Sequence, residues 1–152
     1  MQIGILGGGS WATALAKMLA DNGHPFFWWH RNEKTIDHIR SRRHNPHYLS
    51  SVYFNPQLLQ LSANIAEVVA ACDLLVVCVP SSYLLQSLDG LPANVFDGKK
   101  IISAVKGILP NEQHQLLNEY LHAHFGVATE NYFSIMGPCH AEEIKKEKLS
   151  YL

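Results

Sequence analysis

The chain has 152 residues, of which 47% are hydrophobic and 16% are charged, and its formal net charge is −1. This composition excludes an intrinsically disordered chain, and the length provides for one ordinary globular domain rather than two. A charge so close to neutral gives no support for nucleic acid or an acidic membrane surface as a partner.

Membrane and secretion signals are not visible: no apolar run reaches the length of a bilayer span, and no secretory signal begins the chain. The three cysteines, Cys72, Cys78 and Cys139, form no C-x-x-C pair and leave an odd count. Cys72 flanks a strongly apolar stretch and Cys78 lies within it. We therefore expect buried, reduced thiols and a cytoplasmic location.

A strand followed by a glycine turn opens the chain. Residues 2–6 form a short, mainly apolar strand, and the pattern G-x-G-x-x-A then runs from Gly7 to Ala12. In this pattern Gly7 permits a tight turn, Gly9 has no Cβ to obstruct a pyrophosphate, and Ala12 lets a helix lie close to the strand. The N-terminus of that helix adds free N–H donors and the positive end of its dipole. The segment predicts a dinucleotide-binding site.

Strand and helix signals alternate along the rest of the chain. Apolar runs predict strands at 25–29, 58–61, 74–79, 100–105 and 132–136. Helices are predicted at 11–22, 32–44, 64–72, 82–88 and 112–125, with a charged helix after Gly137-Pro138 and the beginning of a further strand at 149–152. Residues 45–57 form an irregular excursion. The alternation predicts an α/β fold with a doubly wound, mostly parallel sheet.

Several residues are placed to define helix boundaries. Asn64 and Glu67 resemble a capping pair, and Ser81 is placed to cap the next helix. Pro110 and Gly126 bracket a later helix, since proline suits the beginning of a helix and glycine its end.

The end of the second predicted strand bears on the choice of cofactor. A strict NAD site carries an acid about 20 residues past the glycines, whereas this chain reads Trp29-His30-Arg31-Asn32 there, with no acid before Glu33. Arg31 could pair with the 2′-phosphate of NADP. The segment 30–47 has five basic and two acidic residues, a net charge of +3. We infer NADPH acceptance, although Arg40 to Arg43 are better interpreted as a solvated helix face.

Six motifs occur in one order along the chain. They are Gly7-x-Gly9-Ser10-Trp11-Ala12, Trp29-x-Arg31, Asn45-Pro46-His47-Tyr48-Leu49, Val79-Pro80-Ser81, Lys106-Gly107-Ile108 and Gly137-Pro138-x-x-Ala141-Glu142-Glu143. Together they closely resemble the N-terminal domain of bacterial NAD(P)-dependent glycerol-3-phosphate dehydrogenases. The resemblance implies a Rossmann-type fold and reversible hydride transfer between NAD(P)H and dihydroxyacetone phosphate, which gives sn-glycerol 3-phosphate for phospholipid synthesis.

The resemblance also implies individual contacts. In addition to Gly7, Gly9 and Ala12 of the glycine turn, it assigns cofactor contacts to Ser10, Trp11, His30, Arg31, Tyr48, Tyr83, Lys106 and Ala141. It assigns substrate contacts to Lys106, Gly137 and Cys139. Position 139 departs from the family's usual serine, and a thiol is a weaker hydrogen-bond donor than a hydroxyl.

Lys106 is the predicted catalytic residue for a chemical reason as well. Hydride transfer to a ketone places negative charge on its oxygen, and an ammonium at the carboxyl end of a strand can stabilise that charge. The alternative interpretation is an exposed lysine that simply closes a strand.

The resemblance places other functional groups beyond residue 152. In the family, the proton-transferring lysine and most of the substrate phosphate clamp belong to a helical C-terminal domain, which is absent from this chain. We expect residues 1–152 to form one NAD(P)-binding domain that binds dinucleotide with little or no turnover. An apolar face left by the missing domain would favour a homo-oligomer.

Two other functions stay open from sequence. The chain could be the first domain of a related 2-hydroxyacid or 6-phosphogluconate-type dehydrogenase, or a non-catalytic dinucleotide-binding module. The nine histidines add no metal hypothesis. His114, His122 and His124 share one predicted helix without the spacing that chelation requires, so we expect no metal site.

Overall fold

One six-stranded sheet organises the chain in a computed structural model that describes residues 1–136 and 140–147. The strands are β1 (Ile3–Leu6), β2 (Phe26–Trp29), β3 (Leu59–Ser62), β4 (Leu74–Val77), β5 (Lys100–Ser103) and β6 (Tyr132–Ser134). All neighbours are parallel, in the order β3-β2-β1-β4-β5-β6. The predicted doubly wound sheet is confirmed. The strand order reverses between β1 and β4, where sheets of this kind leave a crevice at their carboxyl ends.

Helices cover both faces of the sheet. They are α1 (Ser10–Asp21), α2 (Glu33–Arg42), α3 (Ile65–Ala71), α4 (Ser81–Leu88), α5 (Leu117–Phe125) and α6 (Ala141–Lys145), with 3₁₀ turns at Pro56–Leu58 and Thr129–Asn131. The side chains of α1 and α2 pack with Trp28 and Val76, whereas those of α3, α4 and α5 pack with Trp29 and Val77. Successive strand residues point to opposite faces, so these short strands contribute to two cores.

The tryptophan pair illustrates this two-sided burial. Trp28 is fully buried and Trp29 is 6% exposed. The Trp28 indole donates a hydrogen bond to the Gly7 carbonyl (2.7 Å), and the Trp29 indole donates to the Ala63 carbonyl (2.9 Å). Both indoles pack in the core, and each also satisfies a loop carbonyl at the carboxyl edge of the sheet.

The predicted start of α5 is wrong. Residues 111–115 form a turn, in which the Asn111 amide donates to the Gln115 side chain (2.7 Å) and the Gln115 backbone N–H donates back to Asn111 (3.1 Å). His114 lies in this turn with a φ of 49°, and α5 begins only at Leu117. His114 therefore does not share a helix with His122 and His124. Gly126 ends the helix in the left-handed conformation, as predicted.

The two predicted helix caps have different outcomes. Asn64 caps α3, since its side chain accepts a hydrogen bond from the Ala66 N–H (3.0 Å). Glu67 does not complete the capping pair, because its carboxylate accepts from the Ser62 hydroxyl (2.7 Å). Ser81 is the first residue of α4 rather than its cap, and no side chain caps that helix.

Three strands end before their predicted limits, at Val77, Ser103 and Ser134. The residues after β4 and β5 leave the sheet and line the crevice described below. The predicted strand at 149–152 and the residues Gly137, Pro138 and Cys139 lie outside the described residues. Within the described part of the chain, no helix has both the length and the apolar character needed to cross a membrane.

Candidate dinucleotide-binding site

The first position of the glycine turn is one that only glycine can occupy without strain. Gly7 has a φ of +128°, and a Cβ at this position would lie 2.8 Å from the Cys78 carbonyl oxygen. The Gly7 N–H donates to the Trp29 carbonyl (3.2 Å), while its own carbonyl accepts from the Trp28 indole. The turn is therefore held tightly between the carboxyl ends of β1, β2 and β4.

Gly9 differs, because packing does not require a glycine there. It precedes α1, and an added Cβ would have no atom within 4 Å. The space beside Gly9 is open, and the first turn of α1 contains no acidic residue. The first turn of α1 therefore presents N–H groups and the positive end of the helix dipole with no carboxylate of its own, which fits a pyrophosphate.

A hollow lies on one side of the glycine turn, between the ends of β2 and β4, and we call it the β2-side hollow. It is lined by Gly7, Gly8, Gly9, Trp29, His30, Arg31, Asn32, Thr35, His47, Tyr48, Val79, Pro80, Tyr83 and Ser87. Tyr48 and Tyr83 are 46% and 52% exposed, so their rings are available to a ligand. The Arg31 guanidinium carbon lies 5.4 Å from the centroid of the Tyr83 ring.

His30 is buried in the wall of this hollow. It is 3% exposed, its ring lies 4.4 Å from that of Trp28, and its Nε2 makes no hydrogen bond to any described residue. Burial lowers the pKa of His30 from 6.5 to about 4, so the imidazole is neutral at neutral pH. A Cβ on Gly8 would lie 2.4 Å from His30 Nδ1, so the His30 ring packs directly against the glycine turn.

A second hollow lies on the other side of the glycine turn, between the ends of β4 and β5, and we call it the β5-side hollow. It is lined by Ser10, Trp11, Cys78, Val79, Pro80, Ser81, Ala104, Val105, Lys106, His140, Ala141 and Glu142. Lys106 is exposed at its edge. Trp11 packs beneath α6 against Ala141 and Ile144. Val79 and Pro80 line both hollows, so the two adjoin at the carboxyl edge of the sheet, and we call the pair the crevice.

The structure brings the predicted site residues together in this crevice. The β2-side hollow contains Gly7, Gly9, His30, Arg31, Tyr48 and Tyr83, and the β5-side hollow contains Ser10, Trp11, Lys106 and Ala141. Ala12 lines neither hollow but is fully buried against the sheet, where its small side chain lets α1 pack closely. Gly137 and Cys139 lie outside the described residues. Their contacts, like those of the other residues, stay predictions.

Asn45 opens one of the six motifs found in the sequence, but no contact was predicted for it. It is fully buried, and its side chain bonds both to the glycine turn and to the backbone of Tyr48. Its place in that motif is the signal for it in the sequence, and its complete burial with all its polar groups bonded is visible only in the structure.

The described residues contain no group of three or more histidine, cysteine or acidic side chains placed to hold a metal ion. The crevice is instead lined by glycines, aromatic rings and two cationic side chains, Arg31 and Lys106. That set suits an elongated ligand with phosphate groups and flat rings. The fold and this crevice together define a Rossmann-type dinucleotide-binding domain.

Comparison with known proteins identifies the family. The sequence model of the NAD-dependent glycerol-3-phosphate dehydrogenase N-terminus matches residues 2–152. The chain therefore belongs to the NAD-dependent glycerol-3-phosphate dehydrogenase family, and it matches the N-terminal, dinucleotide-binding domain. The resemblance inferred from the six motifs is confirmed, and the alternative of a 2-hydroxyacid or 6-phosphogluconate-type dehydrogenase is not favoured.

Individual relatives agree with this assignment. The chain is 32% identical over 148 residues to a glycerol-3-phosphate dehydrogenase [NAD(P)+] of Chlorobium limicola, covering 97% of this chain and 44% of that protein. It is 43% identical over 106 residues to that of Azotobacter vinelandii, covering 70% of this chain and 31% of that protein. The crystal structure of glycerol-3-phosphate dehydrogenase from Coxiella burnetii superposes with a TM-score of 0.83 at 26% identity, covering 95% of this chain and 43% of that one. The chain thus spans less than half the length of these relatives.

Proposed function

We propose that the chain binds NADPH or NADH along the crevice as part of an enzyme that interconverts dihydroxyacetone phosphate and sn-glycerol 3-phosphate. The observation that carries the proposal is the pair of adjoining hollows, which share Val79 and Pro80, together with the open space beside Gly9. A dinucleotide has two flat ring systems joined by a pyrophosphate, and the crevice has two hollows joined by an anion-binding turn.

The proposal gives each part of the cofactor a place. The pyrophosphate lies against Gly9 and the N-terminus of α1, and the adenosine half lies in the β2-side hollow between exposed Tyr48 and Tyr83. Arg31 stands at the end of β2, where an acid would select NAD, and its charge favours the 2′-phosphate of NADPH. We therefore propose that NADPH is accepted at least as well as NADH.

The nicotinamide half lies in the β5-side hollow, where it supplies the hydride for reduction of the ketone. The substrate shares this hollow, and Gly137 and Cys139 are further proposed contacts. Lys106 follows β5 at the carboxyl edge of the sheet, and its exposed ammonium can reach a ligand in the hollow. As the ketone oxygen gains negative charge, Lys106 stabilises that charge and thereby lowers the barrier to hydride transfer.

Turnover, location and pathway are further parts of the proposal. The relatives' names supply the substrate class, and the product, sn-glycerol 3-phosphate, suits phospholipid synthesis. The free thiols of Cys72 and Cys78 support a location in the cytoplasm. We expect the 152-residue chain alone to bind dinucleotide with little or no turnover, because the resemblance places the proton-transferring lysine and most of the phosphate clamp outside the matched region.

Calorimetric titration of the 152-residue chain with NADPH and with NADH tests the proposal. Saturable binding of one cofactor per chain is expected, with NADPH bound at least as tightly as NADH. Binding of neither would contradict the proposed cofactor site. Dihydroxyacetone phosphate is then added to the NADPH-saturated chain, and absorbance of the reduced nicotinamide is followed. Rapid oxidation would contradict the expectation of little turnover, while leaving the cofactor site intact.

A further inference from the structure

We propose that Asn45 is a positioning residue for the cofactor site, which aims the N–H groups of the glycine turn at the pyrophosphate and holds Tyr48 opposite them. This inference rests on the proposed function. Asn45 lies after α2, is fully buried, and does not itself line either hollow. Its effect on a ligand would therefore pass through the groups that it bonds.

The Asn45 amide uses its donors toward the glycine turn and its acceptor toward Tyr48. Its Nδ2 donates to the Gly8 carbonyl (3.0 Å) and to the Thr13 hydroxyl (2.9 Å). Its Oδ1 accepts from the N–H groups of His47 (3.0 Å) and Tyr48 (3.3 Å). One buried side chain thus joins two segments of the chain whose residues both line the β2-side hollow.

Thr13 extends the link to the next peptide of the turn. Its hydroxyl accepts from Asn45 and donates to the Gly9 carbonyl (2.8 Å), and the side chain is fully buried. Asn45 therefore bonds the Gly8 carbonyl directly, and it is linked to the Gly9 carbonyl through the Thr13 hydroxyl.

Because the peptide group is planar, the hydrogen bonds to the Gly8 and Gly9 carbonyls also fix the direction of the N–H groups that would meet the ligand. In a trans peptide the C=O and the following N–H point in opposite directions. Holding the Gly8 carbonyl therefore orients the Gly9 N–H away from Asn45, and holding the Gly9 carbonyl does the same for the Ser10 N–H. Gly9 has open space beside it, and Ser10 lines the β5-side hollow. These are the N–H groups that the proposed function assigns to the pyrophosphate.

Asparagine is chemically suited to this place. An amide supplies two N–H donors for the Gly8 carbonyl and the Thr13 hydroxyl, and an oxygen that accepts two backbone N–H groups. A carboxylate of the same shape has no donor and would add negative charge near the pyrophosphate. Asn45→Asp is therefore expected to weaken NADPH binding by about 30-fold or more.

Thr13 provides a variant without a change of charge. Thr13→Val keeps the shape but loses the hydroxyl. The Asn45 amide then loses one acceptor, and the Gly9 carbonyl keeps only the hydrogen bond from the Thr13 backbone N–H (3.0 Å). Thr13→Ser retains the hydroxyl as a matched control. We expect Thr13→Val to weaken NADPH binding by about 10-fold and Thr13→Ser by less than about 3-fold. The free energy of unfolding of each variant is measured alongside to establish that the chain is folded.

Two probes separate positioning from general loosening of the site. Adenosine 2′,5′-bisphosphate and adenosine 2′-monophosphate share the adenosine and the 2′-phosphate, and only the former has a 5′-phosphate to meet the glycine turn. In Thr13→Val, calorimetry should show weaker binding of the bisphosphate and unchanged binding of the monophosphate. Equal weakening of both probes in Thr13→Val, or no weakening of either probe in both Thr13→Val and Asn45→Asp, would overturn the role of Asn45.

The wild-type titrations keep this inference separate from the proposed function. If the wild-type chain binds neither NADPH nor the bisphosphate, then NADPH acceptance fails and the role of Asn45 fails with it. If the wild type binds both and Asn45→Asp and Thr13→Val each bind both equally well, then the cofactor site stands and only the role of Asn45 is refuted.

Discussion

Arg31 and Tyr83 meet at the rim of the β2-side hollow, where the guanidinium carbon lies 5.4 Å from the centroid of the tyrosine ring. Arg31 follows β2 and Tyr83 belongs to α4, so the contact joins the two sides of the hollow. A guanidinium stacked on an aromatic ring keeps its N–H edges free for an anion. The contact therefore places a cation ready for the 2′-phosphate of NADPH.

Arg31→Gln should reduce NADPH binding selectively. Loss of a charge-assisted contact with the 2′-phosphate is expected to raise the dissociation constant for NADPH by about 10-fold to 100-fold and that for NADH by less than about 3-fold. Calorimetric titration with both cofactors measures the two constants.

Arg42→Gln is the matched control for that experiment. Arg42 is exposed near the end of α2, and its loss changes the net charge of the chain equally without altering the β2-side hollow. Both cofactors should bind this variant as they bind the wild type. Equal weakening of NADPH and NADH by Arg31→Gln would show that the 2′-phosphate is not the group recognised.

Alanine at Gly8 should destabilise the fold, whereas alanine at Gly9 should weaken cofactor binding. A Cβ on Gly8 would lie 2.4 Å from Nδ1 of buried His30, whereas a Cβ on Gly9 would meet nothing within 4 Å. Gly8→Ala should lower the free energy of unfolding by about 1–3 kcal/mol. Gly9→Ala should change it by less than about 0.5 kcal/mol but place a methyl group where the pyrophosphate binds.

Urea unfolding and NADPH titration of these two variants give the comparison. We expect Gly9→Ala to fold normally and lose NADPH affinity, which would show that the residue serves the ligand rather than the fold. Normal NADPH affinity in Gly9→Ala would place the pyrophosphate elsewhere.

Buried His30 should make the protein less stable in mild acid. Burial lowers its pKa in the folded state from 6.5 to about 4, so between these values the unfolded chain binds more protons than the folded one. The free energy of unfolding contributed by His30 is complete above pH 6.5 and is lost as the pH falls toward 4, by up to about 3 kcal/mol.

Urea unfolding of the wild type and of His30→Gln across this pH range isolates the contribution, because the other titrating groups are common to both proteins. The wild type should lose more stability than the variant as the pH falls. Parallel curves would show that His30 is accessible to protons in the folded state.

Only one of the two predicted helix caps should contribute to stability. The Asn64 side chain accepts a hydrogen bond from the Ala66 N–H, so Asn64→Ala should cost about 1 kcal/mol. No side-chain cap is formed at α4, and Ser81→Ala should leave the free energy of unfolding within about 0.5 kcal/mol of the wild type. Thermal or urea unfolding distinguishes the pair, and an equal loss in both would contradict the observed capping.

Local signals were sufficient for much of the fold. The strand before Gly7, the cap at Asn64 and the glycine stop at Gly126 depend on the conformations of a few neighbouring residues, and all three occur as expected. The start of α5 was not predictable in this way. The side chains of Asn111 and Gln115 bond to each other and close a turn where the helical pattern alone favoured helix.

The sequence by itself determined the order of the elements, the parallel sheet, the glycine turn and the family, because periodicity, turn chemistry and motif order are properties of the linear chain. Only the tertiary structure decided how Arg31 meets Tyr83, how His30 is buried beneath Gly8, and how Asn45 reaches that turn from 37 residues away. Such contacts depend on which distant segments the sheet brings to one edge. Their effects on charge, burial and hydrogen bonding appear only when the chain is folded.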